Sequence, residues 1–90
     1  MLIQPVQPVI VTIKIGENKY DCQMISLSEA ELELSGADYL EKDSEVFFFA
    51  KYFRGNAIIR EINFAQFCFT YKMEIEKIQF QPGLIINTRL

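Results

Sequence analysis

The chain has 90 residues, half of them apolar, and nine Lys or Arg against twelve Asp or Glu give a formal charge of -3. That length suits one hydrophobic core, and a 23% charged fraction is too ordinary for a disordered segment. Histidine is absent, which removes the commonest general base and the commonest transition-metal ligand, so neither an enzyme, a metal protein nor a cofactor is expected.

Residues 1–8 read as an extended N-terminal segment. They carry no basic side chain, and Pro5 and Pro8 break their apolar stretch, unlike a secretory leader. No window approaches the ~20 apolar residues of a membrane helix, so a cytoplasmic chain without membrane insertion is expected. Val9, Val11, Ile13 and Ile15 alternate with Ile10, Thr12 and Lys14. Gly16-Glu17-Asn18 supplies turn chemistry, and Tyr20, Cys22 and Met24 alternate with Lys19, Asp21 and Gln23, which predicts a hairpin over 9–26.

From Ser28, Ala30, Leu32 and Leu34 alternate with Glu29, Glu31 and Glu33. Helix propensity accepts these residues, but the spacing of two gathers the apolar ones on one side of a strand. Tyr39 and Leu40 are expected to plug one end of the core, and residues 41–44 to be solvated. Glu45 to Phe53 reads as a strand, Arg54-Gly55-Asn56 as a turn, and Ala57 to Ile62 as the next strand. Asn63 to Gln66 is a short connection. Phe67, Phe69, Tyr71, Met73 and Ile75 then alternate with Cys68, Thr70, Lys72 and Glu74. A C-terminal extension, 77–90, turns at 81–83 and is expected to add a strand over 84–87. The sum is an all-β chain, a single domain over 1–90 folded as a small six- to seven-stranded antiparallel barrel whose closure hides its edges.

Few of the polar residues suggest chemistry. Cys22 and Cys68 lack an activating histidine and read as reduced, packed thiols. Glu29, Glu31 and Glu33 share a strand face, but a cation site usually needs a wrapping loop, so a solvated acidic face is expected. Lys51, Arg54 and Arg60 are the densest basic group, with Glu45 and Glu61 beside them, which disfavours nucleic acid. The run from Phe47 to Phe53 stands out. One alternating set enters the core; the other, either Phe47, Phe49 and Phe53 or Phe48 and Tyr52, must be covered by the tail, a second subunit as in a homodimer, or another protein.

Residues 23–34, Gln23-Met24-Ile25-Ser26-Leu27-Ser28-Glu29-Ala30-Glu31-Leu32-Glu33-Leu34, resemble the second and third strands of the PilZ family. These are small bacterial six-stranded barrels, many of which bind cyclic di-GMP. The family's Asp/Asn-x-Ser-x-x-Gly signature places its serine at Ser26, with the following strand at Ala30-Glu31-Leu32. Residues 40–46 are similar to the family's Leu-x-x-Gly-Asp-x-Val, and Ala57-Ile58-Ile59-Arg60 to its small-apolar-apolar-Arg strand. The resemblance spans about residues 9–76 and rests on order and spacing. It implies a bacterial signalling or motility setting.

The departures from that pattern fall on the ligand. The family's Arg-x-x-x-Arg motif has no counterpart in residues 1–11, which hold no Arg or Lys. Arginine suits the task through its planar fork and stacking face. Met24 stands at the Asp/Asn position and Glu29 at the glycine, leaving Ser26 and Arg60 as vestiges of a ligand site. The implied function is a degenerate, non-enzymatic PilZ-like regulatory or adaptor domain that works through a protein partner, with Phe47, Phe49 and Phe53 as the contact surface, and that does not bind cyclic di-GMP by itself. One alternative is a cyclic di-GMP receptor with atypical contacts from Arg54 or Arg60. Another is a small OB- or SH3-like barrel that binds nucleic acid.

Overall fold

Apolar residues repeating every second position give each strand one face to bury, and the pairing of those strands around a ring buries them all. The computed structural model describes residues 2–80. Along them run β1 (Leu2–Ile3), β2 (Ile10–Ile15), β3 (Asn18–Ser28), β4 (Glu31–Gly36), β5 (Glu45–Phe49), β6 (Phe53–Ala65) and β7 (Cys68–Phe80). No helix occurs among the described residues, so none is long and apolar enough to cross a membrane.

Six strands close on themselves in the order β3-β2-β5-β6-β7-β4, with β4 returning to β3, and every pairing is antiparallel. β1 is an extra strand on the far end of β3, where Leu27 pairs with Ile3 along one edge and with Leu32 along the other. Closure bends the sheet, and the register shifts that permit it lie between Met24 and Ser26, Asn56 and Ala57, and Ile59 and Glu61. Inside the ring, Val11, Ile13, Met24, Leu27, Leu32, Leu34, Val46, Phe48, Ile59, Tyr71 and Met73 form one buried cluster.

The hairpins follow their turn chemistry. Gly16, with φ 59°, opens the two-residue turn between β2 and β3 as a type II′ turn needs. Gln66 and Phe67 close β6 to β7 with φ 53° and 63°, the type I′ pattern without the Asn-Gly that favours it. The loop before β5 is tied to β6 by Asp43 N–H donating to the Ile59 carbonyl at 2.7 Å and Ile59 N–H donating to that of Ser44 at 3.0 Å. Leu40 in this loop is buried over one end of the core, whereas Tyr39 points out instead of sharing that role.

Two expected boundaries move. Residues 54–56 are not a turn but lie inside β6; the chain turns at Ala50-Lys51-Tyr52, where Ala50 N–H donates to the Phe53 carbonyl at 2.8 Å. Gly55 marks close approach instead. A Cβ there would lie 2.0 Å from the Lys77 carbonyl oxygen and 2.8 Å from Cζ of Phe48, its cross-strand partner. The second shift is at 63–66, where β6 runs on to Ala65 and the turn falls at 66–67. The strand expected over 84–87 lies outside the described residues.

Because the backbone of β7 cannot retreat as a side chain can, Gly55→Ala should cost about 1–3 kcal/mol of stability. Its urea midpoint should fall with little change in slope, and adding Phe48→Leu, which relieves the ring contact but leaves the Lys77 carbonyl in place, should not restore it.

Candidate functional site

β5 shows one face to the core and the other to solvent. Val46 and Phe48 are fully buried, while Phe47 is 50% and Phe49 42% exposed. The three-residue break after Phe49 resets the alternation, so Phe53 does not belong to that outer surface. It is 3% exposed, with its ring 6.0 Å from that of Phe48 and 6.1 Å from that of Phe80. Tyr52 is half-buried in the turn.

The neighbours of the two exposed rings follow from the register. Across from Phe47 stand Lys14 on β2 and Asn56 on β6, and beyond these Lys19 on β3 and Lys77 on β7. Across from Phe49 stand Thr12 and Arg54, and beyond these Asp21 and Gln79. Thr12 donates to Asp21 Oδ1 at 2.9 Å, and Asn56 donates to Glu76 Oε1 at 3.1 Å. Glu45 lies two residues before Phe47 on the same face of β5. Beside Phe49 opens a cavity of about 440 Å³, lined by Lys51, Tyr52, Arg54 and Phe80 among others and, among the described residues, by no carboxylate; Lys51 Nζ sits 5.3 Å from the Tyr52 ring centre.

The residues inferred as vestiges of a nucleotide site lie elsewhere. Ser26 is half-buried on β3 at the register shift, and Met24 beside it points into the core. Ser28, not Ser26, organises the following turn by accepting from Glu31 N–H at 3.1 Å. Arg60 donates from Nε and Nη2 to Glu74 Oε1, at 3.1 and 2.8 Å, and from Nη1 to Asp43 at 3.3 Å. Glu74 and then Asp43 hold its pKa above the ordinary value. A second cavity, of about 280 Å³, is formed by residues 5–8 against Gln23, Met24 and Ile25, and no charged side chain among the described residues lines it. Glu31 and Glu33 share the outer side of β4.

Two features had little sequence signal. Lys14, Lys19, Arg54 and Lys77 come from four strands, and no local motif announces their convergence. At the far end of β6 and β7, the Phe64 and Phe69 rings lie 4.7 Å apart, Tyr39 meets Phe69 edge-on at 5.9 Å, and Phe67 at the turn is 96% exposed. A bulky residue with positive φ is an outlier, visible only once the backbone is known. No protein-family model and no curated protein matches the chain.

The thiols are unpaired, Cys22 within the core and Cys68 half-buried. Burial pushes Cys22 from 9.0 up to about 12, helped by Asp38 and Asp21. Tyr71, whose hydroxyl donates to the Asp38 carbonyl, moves from 10.0 to about 12, again chiefly by burial. Both groups are neutral in the fold and ionise more readily when unfolded. Their contribution is therefore complete below pH about 9 and lost as pH rises towards about 12. Urea midpoints should fall across that window, and Cys22→Ala should make the fall shallower.

Proposed function

We propose that this barrel is a non-enzymatic, PilZ-like regulatory or adaptor domain of the bacterial cytoplasm, acting through protein contacts and not binding cyclic di-GMP by itself. The observation that carries the reading is the placement of Phe47 and Phe49, side by side on the outer face of a barrel whose core is already filled by Phe48 and Phe53. Two half-exposed rings on one strand give large apolar area at small conformational cost, which is how interface anchors work.

Three features argue against the dinucleotide. Residues 2–9 offer no cation, and the cavity that residues 5–8 form over β3 is lined by none among the described residues. Met24, where a polar acceptor would be needed, is turned into the core. Arg60, the basic residue of the resembling strand, already serves two carboxylates, so a phosphate would have to displace both. Each missing charge-assisted hydrogen bond forfeits about 1.5–3 kcal/mol. Catalysis is equally unfavoured, with no histidine in the chain and the Cys22 thiol held protonated.

Calorimetric titration of the whole chain with cyclic di-GMP should give no heat at micromolar concentrations; saturable binding would contradict the reading. Phe47→Ser with Phe49→Ser should leave the circular dichroism and melting transition near wild type while abolishing capture of partner proteins. Capture that persists unchanged would remove this surface.

A further inference from the structure

Resting on the reading of Phe47 and Phe49 as a contact surface, we propose that its partner is an acidic peptide segment, one that lays carboxylates on the surrounding cations and places a bulky apolar side chain in the adjoining cavity. Five of the chain's nine basic residues, Lys14, Lys19, Lys51, Arg54 and Lys77, gather on this face or at its end, in a chain whose net charge is -3. Of the nearby carboxylates, Asp21 accepts from Thr12 and Glu76 accepts from Asn56, while Glu45 stands at the margin beside Phe47.

A second observation points the same way. Lys14 and Lys19 stand directly opposite each other on β2 and β3. Like charges so placed weaken a sheet, and a carboxylate laid between them would turn that repulsion into attraction. The cavity supplies the apolar half of the recognition, because it is walled by Phe49, Tyr52, Phe53 and Phe80 and has Lys51 and Arg54 among its lining. Arg54 sits opposite Phe49, so a carboxylate and an apolar side chain of one short segment reach it and the ring together.

A peptide fits better than a nucleic acid. Single strands need cations tracking a long backbone as well as stacking rings. Here Lys14 and Arg54 flank two phenyl groups with Lys19 and Lys77 beyond them, and a longer polyanion would meet Asp21, Glu45, Glu76 and the acidic remainder of the surface. A short segment can seat its carboxylates on the cations and stop before those acids.

The test is selection of short random peptides displayed against the immobilised whole chain, followed by solution binding of the selected peptides. The expected binders are rich in Asp and Glu around an aromatic or aliphatic residue. Their affinity should fall roughly tenfold or more in Lys14→Glu with Arg54→Glu, fall as salt rises, and vanish in Phe47→Ser with Phe49→Ser. Binders that require Phe47 and Phe49 but show no acidic bias would overturn the acidic partner and leave the contact surface standing. Binders indifferent to both phenylalanines would overturn the two together. Oligothymidylate that binds this face more tightly than the selected peptides would assign it to nucleic acid instead. Circular dichroism of each variant separates lost binding from lost folding.

Discussion

The Phe48 ring over Gly55 is the contact on which the arrangement depends. β5 and β6 meet there inside the barrel, and β6 approaches β7 so closely at Gly55 that no side chain fits between them. With Phe48 committed inwards, the period of two leaves no choice for its neighbours: Phe47 and Phe49 must face out. A one-residue slip would exchange the faces, bury two rings where one fits, and expose the core. The outer aromatic pair is thus a consequence of how the core is filled.

The strand order then gives that pair its surroundings. β3 and β7 lie two strands from β5 on opposite sides of it, and each contributes a lysine at the height of Phe47. A face that is basic and aromatic at once arises in a chain that is acidic as a whole. The cost is local, two lysines held opposite each other, and a carboxylate-bearing partner would relieve it. Arg60 shows the contrasting case, a cation whose demand is met within the fold by Glu74 and Asp43 and which offers little to any ligand.

Much of the fold was legible in the alternation. Leu32 and Leu34 between glutamates, and Tyr71 and Met73 between polar residues, marked inward faces of strands, because side-chain direction in a strand depends on little except parity. What escaped was set by other means. Gly55 read as a turn because glycine usually marks one, whereas its role is to let two strands approach. The real turn at Ala50-Lys51-Tyr52 holds neither glycine nor proline, and misplacing it put Phe53 on the wrong side. Phe67 tops a hairpin in a conformation its side chain disfavours, which composition could not announce. The set of cations flanking Phe47 depends on register between strands distant in sequence, and a single chain read in order carries no signal for it.

The most direct test of this account is a nuclear Overhauser spectrum of the chain with assigned phenylalanine rings. The Phe48 ring protons should show cross-peaks to the Gly55 Hα and the Ile78 Hα, while those of Phe47 and Phe49 should show none to either. Cross-peaks from Phe47 or Phe49 to the Gly55 Hα would place β5 one residue out of register, and the aromatic face with its flanking cations would not exist.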